Sequence, residues 1–163
     1  MAFERPAKHE VSALVVDDDV HLRSFLAELL EEEGFDVTTA SNGFSGLRLA
    51  EEQHPRVLLL DLVLPELSGT DVLRELRMSP TTRDMAVVVV TAQPQLLSDI
   101  ERADADGVVS KPFDVPDLLA IVHRAVQQAN TRRSEVAPVG GFSHHEAVVR
   151  RHRTSGRHTR GRR

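Results

Sequence analysis

Val57-Leu58-Leu59-Leu60-Asp61 sets four apolar residues against a carboxylate, and Leu62-Val63-Leu64-Pro65 turns the chain away behind them. A short, wholly apolar run of this kind is the pattern of a central parallel strand covered on both faces. In open parallel sheets, ligands sit outside the carboxyl ends of the strands. Asp61 therefore stands where chemistry would be placed. Taken alone, it reads more readily as an acid ending a strand in a turn, so the neighbouring segments have to choose.

Upstream, Ser12-Ala13-Leu14-Val15-Val16 reads as a buried strand stopped by Asp17-Asp18-Asp19. From Val20, the residues Leu22, Phe25, Leu26, Leu29 and Leu30 form the apolar stripe of an amphipathic helix, which Gly34 ends. Phe35–Ala40 is a second strand. Ser41-Asn42-Gly43 opens a helix carrying Phe44, Leu47, Leu49 and Ala50, and Gly46 inside it costs about 1 kcal/mol relative to Ala and should loosen it.

Downstream of Asp61, Ser68 and Asp71 fit a capping box for a helix with Val72, Leu73 and Leu76 inward. Ser79-Pro80-Thr81-Thr82 breaks that helix. Ala86–Thr91 is another apolar strand, and residues 94–103 form one helix of weak periodicity. Gly107–Ser110 is the last strand. Asp114 caps the last helix, which tolerates Pro116 in its first turn and buries Leu118, Leu119, Val122 and Val126. Five strands alternating with five helices give a five-stranded parallel sheet with helices on both faces, a flavodoxin-like doubly wound α/β fold.

The 163 residues suit one domain of ordinary size, and the chain has no Cys, which excludes a disulfide scaffold and thiol chemistry. No apolar run approaches the roughly 20 residues of a membrane span, and Met1–Glu10 lacks a secretory h-region. A cytoplasmic protein is expected. Residues 1–130 carry 11 Lys and Arg against 23 Asp and Glu, a net −12, while residues 131–163 carry 9 Arg against 2 Glu, a net +7. The chain divides accordingly into an extension (1–10), a folded acidic body (11–129) and a basic Arg/His-rich tail (130–163) expected to be disordered.

The strand ends share one rim, so Asp17, Asp18, Asp61, Thr91 and Lys111 can converge. Carboxylates brought together raise one another's pKa unless a cation is present. A set of hard oxygen ligands with few protein donors favours Mg2+, which keeps waters and takes phosphate oxygens. Three carboxylates, one divalent ion and Lys111 balance in charge.

Residues 11–129 resemble the receiver domain of bacterial two-component response regulators. The resemblance rests on Val15-Val16-Asp17-Asp18, Asp61-Leu62-Val63-Leu64-Pro65 with Gly69, Thr91-Ala92, and Lys111-Pro112-Phe113. It implies a stand-alone phosphorelay switch, similar in fold to the chemotaxis response regulators. Asp61 would be the phosphoacceptor, forming an acyl phosphate. Asp18 and Asp61 would ligate Mg2+ directly, Asp17 through water, and the Val63 carbonyl would complete the protein ligands. Lys111 would pair with the carboxylate and then with the phosphoryl oxygens, and Thr91 would swing its hydroxyl onto one of them. Small Ala92 would leave the site open to a bulky donor, and the Lys111–Pro112 bond would be cis. The implied partners are a sensor histidine kinase or histidine phosphotransfer protein and a downstream protein target.

Two positions depart from the family pattern. Val108 stands where the family usually has an aromatic, so the read-out cannot rely on a ring flip. Val63 cannot hydrogen-bond a hydrolytic water, although Gln93 could, which suggests a long-lived phosphoaspartate. Val63 also argues against haloacid-dehalogenase-like phosphatases, which need a second Asp there. No G-x-G-x-x-G follows the first strand and no G-x-S-x-G elbow is present, which excludes dinucleotide binding and Ser/His/Asp hydrolysis. Asp19 is assigned no role beyond a solvated loop acid.

The tail is too short and too poor in apolar residues for a helix-turn-helix output domain. Its histidines match no metal motif. Its positive charge leaves open weak nonspecific contact with nucleic acid, contact with an anionic membrane or partner, or folding back on the acidic body. The rival to a phosphorylation switch is a binding module whose tail does the work beside a vestigial receiver.

Overall fold

The computed structural model describes residues 11–136. The extension 1–10 and the basic segment from 137 onward, to which the expectation of disorder applies, lie outside the described residues. Five parallel strands, β1 (Val11–Val16), β2 (Phe35–Ala40), β3 (Val57–Leu60), β4 (Ala86–Thr91) and β5 (Gly107–Ser110), form one sheet in the order β2-β1-β3-β4-β5. Five α-helices alternate with them: α1 (Val20–Glu32), α2 (Gly43–Gln53), α3 (Gly69–Met78), α4 (Asp99–Asp104) and α5 (Val115–Val136).

The pleat of the central strands divides the core into two layers. Ala13, Val15, Val57, Leu59, Ala86, Val88 and Val90 pack with Leu26 and Leu30 of α1 and with Leu118 and Val122 of α5. Their neighbours Leu14, Val16, Leu58, Leu60, Val87 and Val89 pack on the other face with Ala50 of α2 and Val72, Leu73 and Leu76 of α3. All four residues of β3 are buried, each worth roughly 1.5–3 kcal/mol relative to exposure. This is why the strand carries no polar residue until it reaches the rim.

Several local expectations are corrected. Phe25 and Phe44 lie on exposed faces of their helices and are not part of the core. Gly46 does not loosen α2, because it is a contact point. A Cβ there would stand 2.8 Å from a Val16 methyl, so the absent side chain lets the helix lie directly on β1. The single helix expected over residues 94–103 is two pieces, a 3-10 turn at Pro94–Leu96 and then α4. Ser98 starts α4 afresh with a reciprocal capping box to Glu101. At the far end, α5 runs seven residues past Ala129, so residues 130–136, counted with the tail from sequence, are helical. They are docked: Arg56 donates to the Asn130 side chain at 2.7 Å, and Arg132 pairs with Asp106 at 2.7 Å. Asp106 is also held by Arg77 and by the Val87 amide.

Candidate functional site

Strand register assembles the acidic rim. Val16 lies opposite Leu60 in the β1–β3 pair, so Asp17 and Asp61, each one residue further on, emerge side by side. The Asp61 amide donates to the Val16 carbonyl at 3.0 Å, carrying the ladder one step past the strands. One ligand oxygen from each of Asp17, Asp18 and Asp61 can be chosen so that all three lie within 4.8 Å of one another. Asp17 and Asp61 are buried and Asp18 is exposed, which leaves one open side for water or substrate.

β5 brings the cation. Ser110 is opposite Thr91, and the Lys111 amide donates to the Thr91 carbonyl at 2.9 Å. From there the lysine reaches across the end of β4. Its Nζ donates to Asp61 Oδ2 at 2.8 Å and to Asp17 Oδ2 at 3.0 Å. Burial works against the ammonium, but the bonds to Asp61 and Asp17 outweigh it, and the Lys111 pKa is raised overall. Asp17 shows the opposite balance. Burial raises its carboxyl pKa more than the Asp19 amide and Lys111 lower it. The Lys111–Pro112 peptide is cis, as the resemblance implies.

The loop after β3 is folded back on the acid. The Val63 amide donates to Asp61 Oδ1 at 3.2 Å, and the Gly69 amide donates to the Leu62 carbonyl at 2.9 Å. Any Cβ at Gly69 would run into the Asp61 carbonyl, so this return needs glycine. Ser68 caps α3 through the Asp71 amide. The Val63 carbonyl accepts no hydrogen bond among the described residues, which leaves it available as a ligand.

Thr91 is fully buried and stands apart from the carboxylates in its bonding: its Oγ1 accepts from the Gln93 amide at 3.2 Å. An oxygen that accepts there still has its own proton to donate. Val63 and Gln93 are both exposed beside the site, and Val108, opposite Val89 in β4, is half-buried against the α3-side core.

Two residues overlooked in sequence support the loop. Asp19 is the N-cap of α1, accepting from the His21 and Leu22 amides, while its own amide donates to Asp17 Oδ1 at 2.9 Å. The amides of Leu22 and His21 hold its carboxyl below the usual range. An acid immediately before a helical stripe is an N-cap signal, so this role was available from the sequence. Arg23, one turn into α1, donates Nη1 to the Asp17 carbonyl at 2.7 Å. Nothing in its spacing announces that contact.

Three carboxylate oxygens with no sulfur or imidazole suit a hard divalent cation of the Mg2+ type rather than zinc. The open side at Asp18 fits an ion that keeps waters and takes phosphate oxygens.

The family profile of the response regulator receiver domain matches residues 13–123. The DNA-binding dual master transcriptional regulator RpaA of Synechocystis is 35% identical over 119 residues, covering 72% of this chain and 49% of that protein. The uncharacterized transcriptional regulatory protein YkoG of Bacillus subtilis is 36% identical over 125 residues, covering 76% of this chain and 54% of that protein. The chain thus spans about half the length of these curated relatives. Among solved structures, a response regulator receiver domain protein from Clostridium thermocellum superposes with a TM-score of 0.68 at 29% identity, covering 75% of this chain and 98% of that one. The response regulator TrrA of Thermotoga maritima, solved in complex with Mg(2+)-BeF, gives 0.65 at 32% identity over 71% of this chain and 98% of its own.

Proposed function

Because the chain belongs to the response regulator receiver domain family, we propose that it is a phosphorelay switch that accepts a phosphoryl group on Asp61 from the phosphohistidine of a sensor kinase or phosphotransfer protein. The observation that carries this reading is the Lys111 ammonium bridging Asp17 and Asp61, with the Asp18 carboxylate alongside.

In the proposed transfer, a lone pair of the Asp61 carboxylate attacks phosphorus. The P–N bond of the donor breaks, its electron pair returns to the imidazole, and an acyl phosphate remains on Asp61. Asp17, Asp18, Asp61 and the Val63 carbonyl would hold Mg2+, which when bound would neutralise charge on the phosphoryl oxygens. Lys111 already lies within hydrogen-bond distance of the Asp61 oxygen and would follow the charge onto the phosphoryl group. The Thr91 hydroxyl keeps its proton while accepting from Gln93, so it can donate to a phosphoryl oxygen and couple the loop after β4 to the modification. The protein promotes its own phosphorylation and slow dephosphorylation but is a signalling switch rather than a metabolic catalyst. The exposed Val63 side chain beside Asp61 offers an attacking water no hydrogen bond, which supports a long-lived phosphoaspartate.

Output by protein–protein contact belongs to the same proposal, as does a cytoplasmic location. Among the described residues, no helix is long and apolar enough to cross a membrane. The test is incubation with acetyl phosphate and Mg2+, followed by intact-mass measurement over time. Wild type should gain one phosphoryl group and keep it well beyond seconds, and Asp61→Asn should gain none. A wild type that takes no phosphoryl group, or an Asn variant that takes it equally, would overturn the assignment.

A further inference from the structure

Asp18 is the weakly held member of the acidic triad. Its side chain makes no hydrogen bond or ion pair among the described residues, and it is exposed. Its aim therefore depends on the backbone that carries it. Asp17, one peptide earlier, is fixed from several directions: its amide donates to the Ala40 carbonyl at 3.2 Å, and its carboxylate takes the Asp19 amide and Lys111. What remains is the Asp17 carbonyl, which defines the plane of the peptide joining Asp17 to Asp18. It lies just beyond the end of β1 at Val16, out of the ladder. Arg23 holds it at 2.7 Å.

We infer that Arg23 is a positioning residue for the cation site: by clamping the Asp17 carbonyl, its guanidinium fixes the peptide that points Asp18 at the divalent ion. The inference rests on the proposed Mg2+ site. A charged donor on a carbonyl makes a short, strong and directional bond, and Arg23 itself is anchored in the first turn of α1, where its amide donates to the Asp19 carbonyl at 2.9 Å. The rim at Asp18 is open, so water can satisfy the Asp17 carbonyl when Arg23 is gone. Losing the arginine then costs the metal-free fold little but lets the peptide plane rock, and preorganisation of the ligand is what is lost.

The test uses the full chain and Mg2+ alone. The chain contains no Trp or Tyr to report binding by fluorescence, so isothermal titration calorimetry is the read-out, paired with thermal melts without metal. Arg23→Gln should raise the Mg2+ dissociation constant by about tenfold, Arg23→Lys should restore most of the affinity, and both should melt with wild type when metal-free. Unchanged Mg2+ affinity in Arg23→Gln, with wild type binding normally, overturns the inference and leaves the proposed function standing. A loss matched by a lower metal-free midpoint and not rescued by Lys also overturns it, because Arg23 would then be supporting the fold. Wild type that binds no Mg2+ removes the inference together with the site it serves.

Discussion

Asp17 is the residue where the needs of the site oppose those of the fold. It is only 2% exposed, and burial is the largest influence on its carboxyl, raising its pKa despite the Asp19 amide and Lys111. A group that ionises less readily folded than unfolded subtracts stability once it is charged. The cost is absent below the ordinary carboxyl range and present in full once pH has risen through the folded-state value. Asp17→Asn should therefore raise the metal-free melting temperature at pH 7, with the gain shrinking as pH falls toward 4, and should weaken Mg2+ binding at the same time. Melts at the two pH values with a Mg2+ titration would check this, and a lower midpoint at pH 7 would refute it. The site acids, Thr91 and Lys111 were legible because each lies at the end of an apolar strand or within two residues of it. Arg23 was not, since an arginine on a half-buried helical position looks the same whether it faces water or a carbonyl.

Among the elements, α4 depends most on its cap. It has six residues, too few to be stable by propensity alone, and its start is secured by Ser98 and Glu101 exchanging bonds at 2.9 and 3.3 Å. Ser98→Ala should cost about 1 kcal/mol, read as faster amide exchange confined to residues 98–105. The Glu101 carboxyl is held below its usual value first by the Ser98 amide and then by the Ser98 hydroxyl. That contribution is present above the ordinary carboxyl pKa and is lost as pH falls through the lowered one, so the same amides should exchange faster in acid. The Ser98-x-x-Glu101 signature was in the sequence, but continuous weak periodicity from Pro94 masked it. The role of Gly46 is hidden from the sequence for a different reason. Helix propensity is a local property, and the methyls of Val16 that require a glycine are thirty residues away in sequence. The strands are legible because a doubly covered sheet writes its burial into consecutive residues.

At the scale of the whole molecule, the end of the domain was the least legible boundary. Ala129 is the last residue of α5 in the hydrophobic core, so periodicity stops there while the helix continues on polar contacts. A chain ending at Asn130 would remove Arg132 from Asp106, leaving Arg77 and the Val87 amide to hold that buried acid. It should lose about 1.5 kcal/mol in urea unfolding relative to a chain ending at Val136. Equal stability of the two truncations would show that the last turn is not part of the fold. The 22 residues of α5 extend about 33 Å, while the longest strands, six residues, cover only about 20 Å. Because α5 starts beside Lys111 and runs back against the strand direction, it is a yardstick that overshoots the sheet. A fluorophore or affinity handle attached at its far end would stand clear of an incoming phosphodonor, so the rim can be assayed with the protein immobilised from that side.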